Sequence, residues 1–314
     1  MKKAVNILKL LRPRQWVKNL AIFAAVVFTG ELFNPPVVSL VILGFFAFCA
    51  VSSASYIIND IVDVKKDRLH PFKRFRPLAH GDLDTKFALI LAILLIISSL
   101  MVSTLINFTF FLIIITYIFL QISYSKILKG IAVIDILAIA AGYILRVYGG
   151  EIASGFHLPV WLILTTISIS LFLAIGKRRS ELTLLSQSRG ENIAAVRKSL
   201  SHYSERLLDV YASIFATSTF ISYSLFTFLE NPKGISISFG GFLSPELLPG
   251  FFQRKWLMLT IIPVVYGLMR YLQDIYEKHE GESPEKVLFS DKPLLITVVI
   301  WAVMVIFIIY FVAP

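Results

Sequence analysis

Apolar residues occur along this chain in long blocks with almost no charge, and the polar residues gather between the blocks. Crossing the hydrocarbon core as a helix takes about 20 apolar residues. By that measure the pattern predicts nine spanning helices, near 17–33, 37–59, 86–105, 109–123, 131–152, 159–176, 207–229, 256–276 and 292–312. The predicted fold is all-α, a polytopic bundle in one membrane domain covering 1–314. The stretch SRGENIAAVRKSLSHYSERLLDVY carries apolar residues at helical spacing and predicts an amphipathic helix at the interface before the seventh span.

Composition agrees with the pattern: of 314 residues, 57% are hydrophobic and only 16% charged. The first apolar block follows a basic segment, MKKAVNILKLLRPRQWVKNL, with no small-residue cleavage site after it, so a removed signal peptide is not expected. The single cysteine, Cys49, lies in an apolar block, which excludes an internal disulfide and a thiolate metal cluster. A net charge of +10 would suit nucleic acid if the cations formed one patch, but they border the spans instead. With the N-terminus in the cytoplasm, 25 of the 30 lysines and arginines fall in inner segments. The positive-inside rule therefore predicts that orientation. It also puts the polar loops, at about 59–86, 177–206 and 277–292, on the cytoplasmic face of a cell membrane.

One polar stretch is unlike the rest: NDIVDVKKDRLHPFKRFRPLAHG, residues 59–81. Asp60, Asp63 and Asp67 are spaced by three and four, so on a continued helix their carboxylates share a face, with Asn59 beside them. Three like charges need compensation. Either the neighbouring Lys65, Lys66 and Arg68 supply it, or a divalent ion does; oxygen donors without histidine or cysteine suit magnesium or manganese. His70, Lys73, Arg74 and Arg76 follow, punctuated by Pro71 and Pro77 and closed by Gly81, which predicts a rigid loop. Beside a magnesium site such cations would receive a ligand with more than one phosphate; without one they would meet lipid headgroups. In the fifth span Asp135, Gly142 and Arg146 share a stripe at spacings of seven and four. Asp135 and Arg146 are too far apart to pair, so each needs another partner or a ligand, since a lone charge at membrane depth costs on the order of 2.5 to 3.5 kcal/mol. Gly142, Gly149 and Gly150 read as close helix packing.

The motif N-D-x-x-D-x-x-x-D followed by R-P-x-x-x-G resembles the first aspartate-rich motif of the UbiA superfamily of intramembrane prenyltransferases. The H-P-x-K-R-x-R-P form is similar to the branch that transfers phosphoribose to a polyprenyl phosphate. LRPRQWVKNL, YSKILKGIAVIDILAIAAGYILRVYGG, GKRRSEL and EGESPEKVLFSDKPL extend that likeness over most of the chain. Prenyl-transferring members carry a second acidic motif after span six; here Lys177, Arg178, Arg179 and Glu181 stand there instead. The resemblance implies phosphoribosyl pyrophosphate and a decaprenyl-type phosphate as substrates, the membrane as surroundings, no nucleic acid, and compatibility with self-association. It implies a magnesium ion, or manganese, on Asp60, Asp63 and Asp67 with Asn59 orienting. Lys73, Arg74 and Arg76 would bind donor phosphate, Lys177 and Arg178 donor or acceptor phosphate, and Glu181 the ribose hydroxyls. Tyr124 and Lys129, and Asp135 and Arg146 in the fifth span, complete the candidate substrate-binding set. Two other readings compete: transfer of a prenyl group from its diphosphate to an aromatic acceptor, and transport of a lipid phosphate. The missing second acidic motif counts against the first, and cations gathered at one surface without an inverted repeat count against the second.

Overall fold

The structure is a computed structural model that describes residues 2–69, 73–187, 198–230, 255–277 and 284–312. The described residues are helical and contain no strand. After α1 (Lys2–Leu11), a 3-10 segment (Pro13–Phe23) leads into the short α2 (Ala24–Phe28). The long helices are α3 (Pro35–Leu69), α5 (Thr85–Ile106), α6 (Phe108–Lys126), α7 (Ile134–Ser154), α8 (Val160–Gln187), α9 (Glu205–Leu229), α10 (Ile261–Glu277) and α12 (Lys292–Phe307). Two short helices, α4 (Pro77–His80) and α11 (Pro284–Ser290), lie in connections.

Local sequence sets the ends of these helices. The side chains of Asn107, Ser204 and Asp291 accept hydrogen bonds from the backbone N–H of Phe110, Leu207 and Leu294 at 2.7, 3.1 and 2.8 Å, capping α6, α9 and α12. Gly81 (φ 91°) and Gly155 (φ 76°) close α4 and α7 in the left-handed region.

Among the described residues, eight helices are long and apolar enough to cross a membrane. The segment expected as the first of nine spans is instead broken between 3-10 and α geometry. The cause is visible in its neighbours: Ile22, Ala25 and Val26 are fully buried, and its backbone presses on α7. A methyl at Gly150 would stand 1.9 Å from the Ile22 carbonyl oxygen, and one at Gly149 would stand 2.7 Å from the Phe48 ring. Both glycines thus act as close-packing positions. Large apolar side chains such as Met101, Leu105, Phe108 and Phe119 point outward, the arrangement expected of a lipid-facing surface.

The expected amphipathic helix at 188–211 falls partly outside the described residues; Lys198–His202 form a 3-10 turn and α9 begins at Glu205. α3 and α8 both run past their apolar cores, and these overhangs present the charged motifs.

Candidate active site

The final turns of α3, the start of α7, the final turns of α8, the segment after α1 and the short α11 meet at one end of the bundle. Asp60 and Asp67 lie two turns apart on α3 and are 2% and 5% exposed. Their charge is met by arginines from outside the helix. Arg12 Nη2 donates to both Asp60 oxygens at 2.6 and 2.8 Å. Arg76 Nη1 donates to Asp60 Oδ1 at 3.0 Å and to Asp67 Oδ2 at 2.7 Å. Asp63 turns aside to Lys129, whose Nζ is 3.4 and 3.5 Å from its oxygens. The three aspartates do not converge on one point, as their spacing suggested; the 60° offset of a three-residue step separates Asp63 from the pair. Of the adjacent cations, Arg68 donates its Nε to the Ala79 carbonyl at 3.2 Å. Asn59 is half-buried beside Asp60.

Among the described residues no three histidine, cysteine, aspartate or glutamate side chains stand together as a metal cage. Asp60 and Asp67 nevertheless each aim one oxygen at the position of the Arg76 Nη1 atom. Two hard oxygen donors facing one positive point fit a magnesium or manganese ion that takes its other ligands from water and a bound phosphate. They do not fit a closed protein cage.

Where the prolines and Gly81 predicted a loop, the described residues form the Lys73–Phe75 turn and α4, which Gly81 closes. Arg74 is exposed, its guanidinium 4.8 Å from the Phe75 ring centroid. The Lys73 side chain, and all of His70 and Pro71, lie outside the described residues.

A second charged centre forms on α8. Arg178 and Asp135 are both fully buried, with Arg178 Nε 2.7 Å from Asp135 Oδ2. Arg178 Nη2 donates to the Tyr124 hydroxyl at 2.7 Å, and Nη1 to Glu181 Oε2. Asp135 also accepts from Ser199 Oγ at 3.0 Å and from the Tyr203 hydroxyl at 2.7 Å. Burial and the Asp135 hydrogen bond push the Tyr203 phenol above its ordinary value. Arg178 thus spends its guanidinium on protein groups and ties α6, α7 and α8 together. Glu181 is occupied by it. Arg179 faces the other way, bonding Asp209 at 2.7 Å and Glu205 at 3.1 Å on α9.

The half-buried Lys177 belongs to a third group, which sequence reading did not identify. Lys18 Nζ is 2.8 Å from Glu285 Oε2 on α11. Burial alone would raise the Glu285 carboxyl, but Lys18, with a smaller contribution from Lys177, holds it below its ordinary value. Arg146 sits deeper. Its Nε donates to Asn19 Oδ1 at 2.6 Å, Nη2 to the Tyr117 hydroxyl at 2.7 Å, and Nη1 to the Gly142 carbonyl. It therefore finds neutral partners on neighbouring segments, and Asp135 finds Arg178, which resolves why the two share a stripe without pairing.

Arg12, Lys18 and Glu285 are the residues that sequence reading passed over. The only signal was their place in LRPRQWVKNL and EGESPEKVLFSDKPL, charged positions beside apolar ones.

Comparison with known proteins bears on the fold and the family. The profile of the UbiA prenyltransferase family matches residues 20–291. Decaprenyl-phosphate phosphoribosyltransferase from Mycolicibacterium smegmatis is 34% identical over 300 residues, 94% of this chain and 90% of that one. The Corynebacterium glutamicum protein of the same name is 33% identical, over 98% of this chain and 87% of its own. In three dimensions the chain is similar to a UbiA homolog from Archaeoglobus fulgidus solved with GPP and Mg2+, with TM-score 0.70 and 20% identity over 96% of this chain and 99% of that one. From the profile match and the near full-length likeness, the chain belongs to the UbiA prenyltransferase family.

Proposed function

We propose that this protein transfers the 5-phosphoribosyl group of phosphoribosyl pyrophosphate to a polyprenyl phosphate of decaprenyl type, releasing pyrophosphate. The observation that carries the proposal is the cationic motif at the end of α8. Where prenyl-transferring relatives are expected to place a second pair of carboxylates, this chain has the half-buried cation Lys177, next to an Arg178 that is committed to Asp135 and Glu181. A donor with a diphosphate on C1 and a separate phosphate on C5 asks for one carboxylate set and additional cations. The names of the relatives that match along nearly the whole chain support the same reading.

The chemistry needs little from a base. An oxygen of the acceptor phosphate, already an anion, forms the bond to C1 of the ribose while the C1–oxygen bond to pyrophosphate breaks. The electron pair leaves with pyrophosphate, and no proton need move. The protein must instead hold two anions against their repulsion and align them. Asp60 and Asp67 would hold the divalent ion, with Asp63 and Asn59 at the edge of that site. When bound, such an ion supplies charge neutralisation to the departing pyrophosphate. That reading follows the Mg2+ of the Archaeoglobus fulgidus relative. Lys73, Arg74 and Arg76 would take donor phosphate, and Lys177 the phosphate of donor or acceptor. Arg178 and Asp135 would keep the end of α8 in place. The polyprenyl chain would leave the site sideways among lipid-facing helices, at the cytoplasmic face of the cell membrane that the lysine and arginine distribution favours.

Purified protein in detergent, given magnesium, labelled phosphoribosyl pyrophosphate and polyprenyl phosphate, is expected to make a labelled lipid and to stop with EDTA. Lys177→Ala should raise the apparent KM for the donor about tenfold or more, the scale of one charge-assisted phosphate contact. Activity that survives EDTA, or a donor KM unmoved in Lys177→Ala, would count against these assignments.

A further inference from the structure

Arg12 lies in LRPRQWVKNL, a stretch to which the sequence assigned no site residue, yet among the described residues it makes the shortest contacts to the candidate metal-binding carboxylate. Its Nη2 engages both oxygens of Asp60, at 2.6 and 2.8 Å, and its guanidinium lies 5.2 Å from the Tyr56 ring centroid. The backbone that delivers it is unusual: Arg12 has φ 55° and ψ 60°, left-handed values that residues with a Cβ rarely adopt. That conformation is fixed at the joint between α1 and the 3-10 segment, where Arg12 N donates to Leu8 O at 3.2 Å and Arg12 O accepts from Gln15 N at 2.9 Å. Backbone strain of this kind persists where surrounding structure holds it, and it concentrates at functional sites.

A divalent ion between Asp60 and Asp67 would take the place of Arg76 Nη1 and would need Asp60 Oδ1, the oxygen that Arg12 holds at 2.6 Å as well. Two cations cannot share that short approach without strong repulsion, so ion and guanidinium compete. A diphosphate arriving with the ion changes the balance, because its oxygens offer the planar fork of a guanidinium a bidentate partner as good as a carboxylate. We propose that Arg12 is an exchangeable positioning residue: it neutralises Asp60 in the empty site, yields that carboxylate to the divalent ion, and moves onto a diphosphate oxygen of the donor. Ion and diphosphate then bind cooperatively, each favouring the arrangement that the other needs. The inference rests on the proposed function only in requiring a diphosphate-bearing donor.

Manganese binding followed by electron paramagnetic resonance on the purified protein, with and without inorganic pyrophosphate, tests the exchange without turnover. Wild-type protein should bind the ion weakly alone and about tenfold or more tightly with pyrophosphate. In Arg12→Gln the ion alone should bind about tenfold more tightly, and the gain from pyrophosphate should shrink to about threefold or less. A merely structural Arg12 would lower thermal stability and leave manganese affinity unchanged or weaker, and that result overturns the proposal. Should Arg12→Gln not fold, Arg12→Lys keeps the charge but gives up the fork; it should show an intermediate pyrophosphate gain, and a full wild-type gain would overturn the exchange. Pyrophosphate carries no ribose, so failure here leaves the phosphoribosyl reading standing. Failure of that reading in favour of another diphosphate donor leaves the exchange standing.

Discussion

Replacing Arg178 by methionine is the sharpest perturbation of this site. Arg178 and Asp135 are both fully buried, at 2.7 Å, and among the described residues Asp135 then keeps two hydroxyl donors, Ser199 and Tyr203. Removing one member of such a pair leaves an uncompensated charge in a dry site, which costs about 3 to 5 kcal/mol. Taking the unfolding entropy of soluble domains, about 2.1 cal/mol/K per residue, 1 kcal/mol moves the melting temperature of this chain by about 1.5 °C. Arg178→Met should therefore lower Tm by about 5 to 8 °C. Asp135→Asn should cost less, about 1 to 3 kcal/mol, because Glu181 and Tyr124 still face the guanidinium. The double variant should recover part of the loss, falling short of the sum of the single effects by about 1 to 3 kcal/mol. Thermal unfolding of the four proteins in one detergent reads all of this. Additive effects, or an Arg178→Met protein within about 1 °C of wild type, would refute the view of Arg178 as a pillar rather than a phosphate ligand.

Gly150→Ala sets a methyl 1.9 Å from the Ile22 carbonyl, a backbone atom that cannot rotate away, so a Tm loss at or above the usual overpacking cost of about 1 to 3 kcal/mol is expected. Glu285 has a native pKa below its unfolded value, so its contribution is fully present above about pH 4.3 and is lost as pH falls through the lower native value. In a stability–pH series, Glu285→Gln should flatten that acid limb, and an unchanged limb would contradict the Lys18 pairing. Single cysteines at Arg74 and Phe289 should react from the cytoplasmic side and those at Phe108 and His157 from the other, with the buried Cys49 giving little background. Labelling of Arg74 from the outer side would remove the candidate site from the cytoplasm.

Much of the bundle was legible because lipid demands long apolar blocks, and their lengths translate directly into helices. The 13–28 segment is as apolar as the spans, but its break into 3-10 and α pieces was not legible, because the close approach of the Ile22 backbone to Gly150 of α7 is a packing feature that hydropathy does not encode. The spacing of Asp60 and Asp67 announced a shared face, and the continuous α3 delivers it. The partners of those acids were not legible. Arg12 is 48 residues from Asp60 along the chain, and Lys18 and Glu285 come from nearly opposite ends of it. Pairings at that separation are set by how helices pack, which local pattern does not encode. Arg178 shows the converse limit, since its charge suggested phosphate while its complete burial points inward to Asp135.

The proposed transfer is tested most directly by offering both donor sets to the purified protein in one magnesium-containing reaction: phosphoribosyl pyrophosphate with polyprenyl phosphate, and a prenyl diphosphate with an aromatic acid. Mass spectrometry of the extracted lipids should find polyprenyl-phosphoryl 5-phosphoribose, pyrophosphate released in equal amount, and no prenylated acid. A prenylated aromatic product with phosphoribosyl pyrophosphate left unconsumed would contradict it.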